Sequence, residues 1–118
     1  MMQTQSYSVP VEFNKFFDMR LKCTVSSRYT VTIPKAIRKK LSISPGDLVN
    51  VGMSDDQQSL LVSKAIEETT DNKVVVNDKN LITIPIELRR YLSIKVGNRL
   101  KIFTMNDKFA VLMKTKSI

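Results

Sequence analysis

The sequence predicts a mainly β fold with two short helices, built as a pseudo-twofold domain from two ββαββ repeats. Residues 22–51 align with residues 73–102 after a shift of 51 positions, and ten of the thirty aligned positions are identical. Each copy places β-prone runs on both sides of a segment that follows a proline, a pattern typical of strand, helix and strand. A unit of about 45 residues is too small to bury a sufficient core alone. We therefore expect the two copies to complete one another.

Each copy opens with two β-prone runs that a polar turn connects. In the first copy the runs 22–25 and 30–33 flank the turn 26–29, and in the second copy 73–76 and 81–84 flank 77–80. The second run ends at Pro34 or Pro85. Proline is favoured in the first turn of a helix and poorly tolerated inside a strand, so it marks the change from strand to helix.

Two short helices are predicted after these prolines, at 35–41 and 86–92. Each contains an aliphatic pair four residues apart, which lies on one face of a helix; the pairs are Ile37 with Leu41 and Leu88 with Leu92. Turn-forming residues follow each helix. Two further β-prone runs then close each copy, at 48–53 and 60–63 in the first and at 99–105 and 109–114 in the second.

The composition excludes several classes of function. The 118 residues include no histidine, one cysteine (Cys23) and three glycines. Histidine is the usual general base near neutral pH and the commonest metal ligand. A single cysteine forms neither an internal disulfide nor a cysteine-cluster zinc site. With no glycine-rich phosphate loop either, we expect no enzyme, no cofactor and no metal.

The charge points to an anionic partner. The chain carries 19 Lys and Arg against 11 Asp and Glu, a net charge of +8. Residues 22–64 carry +4 and residues 73–118 carry +7, whereas residues 65–72 carry −3 and residues 1–21 are neutral overall. Clustered positive charge of this kind is typical of proteins that bind nucleic acid.

The same boundaries give the expected domain organisation. We expect an N-terminal arm at 1–21, repeats at 22–64 and 73–118 that form one composite domain, and an acidic linker at 65–72. The sequence has no apolar run approaching the ~18 residues that a membrane-spanning helix needs, and no pattern of a secretory signal. We expect a cytoplasmic protein.

The strongest local pattern lies around the turn and helix of each copy. Residues 25–49 read VSSRYTVTIPKAIRKKLSISPGDLV, and residues 77–100 read NDKNLITIPIELRRYLSIKVGNRL. Both resemble the SpoVT–AbrB family of swapped-hairpin domains, and the resemblance covers about 85 of the 118 residues. It implies a pseudo-twofold swapped-hairpin β-barrel in which one chain supplies both halves. It also implies binding to double-stranded DNA.

The resemblance also implies which residues contact DNA. The basic residue of the family's first turn and the basic pair of its helix occur in both copies; they fall on Arg28, Arg38, Lys39, Lys79, Arg89 and Arg90. Supporting candidates are Lys22, Lys35 and Lys73.

Three positions depart from the family pattern. Tyr29 and Asn80 replace a turn glycine, and a left-handed backbone is tolerated by asparagine but much less by tyrosine. A basic or amide residue before the second strand often contacts DNA in the family, but it is replaced by Thr30 and Leu81 here. The family's glycine after the helix is replaced by Ser42 and Ser93.

Three functions fit the sequence. The first is a double-stranded DNA-binding transcriptional regulator that binds through both repeats, with further homodimerisation of the chain as a possibility. The second is an antitoxin that binds its operator and a toxin; it ranks lower because family tails usually follow the barrel, whereas the extension here precedes it. The third is a protein-interaction module that has lost DNA binding, which the substitutions at Thr30 and Leu81 favour.

Overall fold

The computed structural model describes residues 16–65, 72–105 and 110–115. These residues form eight strands and two helices, in the order β1 Phe16–Thr24, β2 Thr30–Thr32, α1 Lys35–Leu41, β3 Leu48–Met53, β4 Ser59–Lys64, β5 Asn72–Val75, β6 Leu81–Thr83, α2 Ile86–Tyr91, β7 Arg99–Met105 and β8 Ala110–Thr115. The predicted mainly β class with two short helices is confirmed. Within the described ranges, no helix is long and apolar enough to cross a membrane.

The two repeats exchange strands. Six strands form one antiparallel sheet in the order β1-β7-β8-β4-β3-β5, and β2 pairs with β6 in a second sheet. The first strand of each repeat thus pairs with the third strand of the other, β1 with β7 and β5 with β3. This is the swapped pairing that the resemblance implies, formed here within one chain.

The described strands do not close into a barrel. The large sheet has β1 and β5 as its edges, and β2 and β6 pair only with each other. Both of these short strands run for three residues before Pro34 and Pro85, which have extended backbones and begin the helices. Because proline has no N–H to donate to a ladder, the pairing of β2 and β6 ends there.

One hydrophobic core serves both repeats. Among the described residues, twenty buried apolar side chains form a single cluster, eleven from the first repeat and nine from the second. Val31 of β2 pairs with Ile82 of β6 near the pseudo-twofold axis, and these side chains are 0% and 1% exposed. Ile37 and Leu41 of α1 and Leu88 of α2 are buried on the faces that the aliphatic spacing predicts.

Strand β1 begins earlier than the repeat. It starts at Phe16 rather than at residue 22, so part of the predicted arm pairs with β7. The pairing register shifts between Asp18 and Leu21, where Arg20 has a φ of 58° and its backbone N–H donates to Asp18 Oδ1 at 2.8 Å. Most of the arm and of the linker lies outside the described residues, and the division into arm, repeats and linker stays a prediction.

Candidate nucleic-acid interface

Strand exchange places the first turn of each repeat beside the helix of the other. The carbonyl oxygen of Tyr29 accepts a hydrogen bond of 2.9 Å from the backbone N–H of Ile84, two residues before α2. In the same way, the carbonyl oxygen of Asn80 accepts a hydrogen bond of 2.9 Å from the N–H of Ile33, just before α1. The surface around each helix is therefore built from both repeats.

The first of these surfaces combines turn 26–29 with α2. We call its four cations the first basic cluster: Arg28, Arg89, Arg90 and Lys95. Arg89 is half-buried and the other three are exposed. Arg89, Arg90 and Lys95 line a cavity of about 480 Å³ together with Tyr29, Ile86, Ser93 and Ile94. Arg28 directly precedes Tyr29 in the turn.

The second surface combines turn 77–80 with α1. Its four cations form the second basic cluster: Lys35, Arg38, Lys39 and Lys79. Arg38 is half-buried and the others are exposed. Lys35, Arg38 and Lys39 line a cavity of about 420 Å³ with Ser42, Ile43 and Ser44. All six residues lie 51 positions before residues of the first cavity, so the two cavities are pseudo-equivalent.

Local hydrogen bonds fix the turns that carry Arg28 and Lys79. In the first turn, the N–H of Ser26 donates to the Thr30 carbonyl at 2.9 Å, and the hydroxyls of these two residues share a hydrogen bond. In the second turn, Asn77 Oδ1 accepts from the N–H of Lys79 at 2.8 Å and from that of Leu81 at 2.9 Å. Because the turn backbones are held, both cationic side chains project from fixed positions.

The turn backbone differs from the sequence-based expectation at one residue. Tyr29 has a φ of 58° and Asn80 a φ of 65°, so both adopt the left-handed conformation of the glycine that they replace. Tyrosine accepts this disfavoured backbone in a turn held at both ends: its N–H donates to the Ser26 carbonyl at 2.9 Å, and its own carbonyl accepts from Ile84.

The two half-buried arginines have different environments. Arg38 Nη1 donates to the carbonyl oxygen of Ile33 at 2.9 Å. The equivalent Arg89 instead stacks on Tyr29, with its Cζ 4.0 Å from the centre of the ring. The Nε of Arg89 is buried and has no hydrogen-bond partner, and the same is true of Asn80 Oδ1 in the opposite turn.

The positive charge of the clusters is not neutralised within the described part of the chain. None of the eight cations forms an ion pair there, and the one acidic residue in the first turn of either helix is the exposed Glu87. Lysine and arginine at such positions can bind phosphate, with arginine offering two parallel donors.

The structure brings together most of the predicted DNA-binding residues. Of the six leading candidates, Arg89 and Arg90 line the first cavity, and Arg38 and Lys39 line the second together with Lys35. Arg28 and Lys79 line neither cavity and lie in the turns that hydrogen-bond to the residue before the proline of each helix. Lys22 and Lys73 line neither cavity: they lie on the edge strands β1 and β5. That the candidate residues contact DNA stays a prediction.

Alignment of the two repeats missed one cation of the first cavity, and it did not reveal a row of three lysines that lies outside both cavities. Lys95 lines the first cavity, but its counterpart in the first copy is Ser44, so the repeat gave no signal for it. Lys22 stands opposite Lys101 on β7, which stands opposite Lys114 on β8, and the three form a row across the sheet. Only the pairing of strands from both repeats reveals that row.

Two other residues have structural roles. Cys23 is buried in the shared core, and burial raises the pKa of its thiol to about 12. Asp56 lies in the turn between β3 and β4, where hydrogen bonds from the Ser54 hydroxyl and the Gln58 N–H lower the pKa of its carboxyl. Both arrangements favour packing and turn formation over chemistry.

Comparison with known proteins gives the family. The chain matches the family described as "Antidote-toxin recognition MazE, bacterial antitoxin" twice, at residues 24–70 and 73–118. No curated protein matches the chain. The solution structure of PHS018 from Pyrococcus horikoshii is similar at a TM-score of 0.47, with 22% identity over 88% of this chain and 94% of that one. The family match supports the AbrB-like resemblance in its coarse form. Since it spans both repeats, and so more than half of the chain, the protein belongs to the MazE bacterial antitoxin family.

Proposed function

We propose that the protein is a double-stranded DNA-binding transcriptional regulator of the AbrB type. The observation that carries this proposal is the pair of pseudo-equivalent basic clusters, each assembled from the turn of one repeat and the helix of the other. Each cluster holds four cations that form no ion pair with the described residues, which gives the surface a strong attraction for phosphate. Neutralising several phosphates releases condensed counterions, which drives much of protein–DNA association.

The clusters differ enough to favour an asymmetric DNA site. The helix of the first cluster contributes two arginines, Arg89 and Arg90. That of the second contributes one arginine and two lysines: Arg38, Lys35 and Lys39. Arginine can donate two parallel hydrogen bonds to a phosphate or to a guanine edge, and lysine acts as a point charge. The regulator would therefore bind two halves of its site with unequal contacts.

A binding experiment with a matched control tests the proposal. The double variants Arg89→Ala/Arg90→Ala and Arg38→Ala/Lys39→Ala each remove two cluster cations. The control Arg99→Ala/Lys101→Ala removes two exposed cations of β7 that line neither cavity, so the net charge is the same. We expect both cluster variants to bind duplex DNA at moderate salt far more weakly than the control. Equal affinity of all three variants would refute the proposal.

The second candidate is an antitoxin that binds its operator and a toxin. The family match favours it, because both repeats match a model of bacterial antitoxins. The test is to express the chain together with the protein encoded by the neighbouring gene. Relief of a growth arrest caused by that protein, and a purified complex of the two, would establish the antitoxin role. DNA binding without relief of the growth arrest would favour the transcriptional regulator over the antitoxin.

A protein-interaction module is the third candidate and makes the opposite prediction. Thr30 and Leu81 remove a cationic or amide group from both strand starts. A module that has lost DNA binding would form a stable higher oligomer and bind duplex DNA weakly, with little dependence on salt. Sedimentation of the purified chain alongside the binding series separates this outcome from the other two.

A further inference from the structure

The first cavity has one lining residue, Tyr29, whose counterpart does not line the second. Six residues of the first cavity have counterparts in the second, but Tyr29 is an additional lining residue of the first. Its counterpart Asn80 also has a left-handed backbone and also accepts a hydrogen bond from the opposite repeat. The backbones of the two turns are therefore alike, and the difference lies in the side chain.

The aromatic ring changes what the neighbouring arginine can do. Arg89 Cζ lies 4.0 Å from the centre of the Tyr29 ring, a cation–π geometry. Stacking holds the plane of the guanidinium, and its Nε is buried without a hydrogen-bond partner. Within the described residues, no hydrogen bond engages the two Nη groups. The two Nη groups are thus the part of the Arg89 guanidinium that can bind an anion.

Arg38 lacks this support. None of the described residues that line the second cavity is aromatic. The Nη1 of Arg38 is engaged by the carbonyl oxygen of Ile33. Binding a phosphate end-on through Arg38 would require that hydrogen bond to be shared or broken. An arginine that is already held loses less side-chain freedom on binding than one that must be reoriented.

We propose that Tyr29 is a positioning residue that pre-organises Arg89 for phosphate, which makes the first cavity the stronger of two unequal phosphate sites. The proposal rests on the proposed DNA-binding function and deepens it. The two ends of the domain then bind DNA unequally: the end with turn 26–29 and α2 binds the DNA backbone more tightly than the end with turn 77–80 and α1.

The chain itself supplies the variant that tests this role. Tyr29→Asn reproduces the turn that the second repeat already forms, so the left-handed backbone is retained. Tyr29→Phe keeps the ring and removes only the hydroxyl. We expect Tyr29→Asn to weaken duplex DNA binding about twofold to fivefold, the range for the loss of one solvent-accessible cation–π contact, and Tyr29→Phe to bind as the wild type does. Thermal unfolding of each variant checks that the fold is retained.

A double-mutant cycle separates positioning from a general structural effect. If Tyr29 acts through Arg89, Tyr29→Asn costs nothing further in an Arg89→Ala background, but its cost is unchanged in an Arg38→Ala background. Arg89→Ala alone should also weaken binding more than Arg38→Ala. Equal costs of Tyr29→Asn in both backgrounds, or no effect of Tyr29→Asn at all, would overturn the role of Tyr29.

A measurement without DNA keeps the proposal distinct from the proposed function. The ¹⁵Nε–¹H signal of Arg89 should exchange slowly with water in the wild type and in Tyr29→Phe, and quickly in Tyr29→Asn, because stacking keeps this group buried. Fast exchange in the wild type would overturn the positioning role alone. Absence of duplex DNA binding by the wild type would overturn the DNA-binding function, and the role in phosphate binding with it.

Discussion

Removing one basic pair should change the salt dependence of DNA binding by a calculable amount. The two clusters contain eight cations. If each neutralises one phosphate of B-DNA, the slope of log K against log salt concentration is about −7, at about −0.9 per phosphate. The variant Arg89→Ala/Arg90→Ala keeps six of these cations, and its slope should be about −5.

This difference is large enough to measure. Between 50 and 200 mM salt, the wild-type affinity should fall about 10⁴-fold, and that of the variant about tenfold less. Fluorescence anisotropy of a labelled duplex at six potassium chloride concentrations gives both slopes. The control Arg99→Ala/Lys101→Ala has the same net charge as the variant, and it should keep a slope close to that of the wild type.

Two results would refute the reasoning. A wild-type slope shallower than about −2 would mean that few of the eight cations contact phosphate. An equal reduction of slope in the cluster variant and in the control would mean that net charge, and not the arrangement of the clusters, governs binding. The second result would also remove the distinction between the two ends of the domain.

Three further predictions concern stability. Ser42→Gly and Ser93→Gly should each raise the free energy of unfolding by about 0.5–1 kcal/mol in urea titrations, because both serines have left-handed backbones (φ of 56° and 55°) that glycine adopts more readily; no gain would mean that the serines are not strained. Ile82→Ala should lower it by about 2–5 kcal/mol by opening a cavity in the shared core, whereas a loss below 1 kcal/mol in calorimetry would contradict the tight packing of β2 on β6. Burial raises the pKa of Cys23 from 9.0 to about 12, so its contribution to stability is complete below pH 9 and is lost as the pH rises toward 12, by about 1.4 kcal/mol per pH unit. Cys23→Val copies Val74 of the other repeat. Between pH 8 and pH 10, the free energy of unfolding of this variant should fall by about 1.4 kcal/mol less than that of the wild type; an equal fall in both proteins would contradict this.

Local patterns predicted most of the secondary structure. Prolines at equivalent positions marked the starts of both helices, and the aliphatic spacing identified the buried faces. The predicted start of β1, residue 22, was wrong by six residues, because residues 16–21 have no counterpart in the repeat. Their β conformation comes from pairing with β7, a contact about 80 residues away in the chain that a local pattern does not record.

The site was predicted in its composition but not in its assembly. Seven of the eight cations in the two basic clusters were named from the repeat and from the family resemblance, and Lys95 was missed. Which turn accompanies which helix depends on the exchange of strands, so the position of turn 26–29 beside α2 could not be derived from spacing. The contact between Tyr29 and Arg89 was not predicted for the same reason: the two residues belong to different copies and lie 60 positions apart.

The exchange of strands within one chain also determines how the protein responds to dilution. A sheet that two separate chains complete falls apart when their concentration drops below the dissociation constant. Here both partners of β1 with β7 and of β5 with β3 are covalently joined, so assembly is unimolecular. The basic clusters therefore remain intact at a few copies per cell. Occupancy of a DNA site by a single chain would then rise in direct proportion to protein concentration, without the steeper dependence that prior dimerisation imposes.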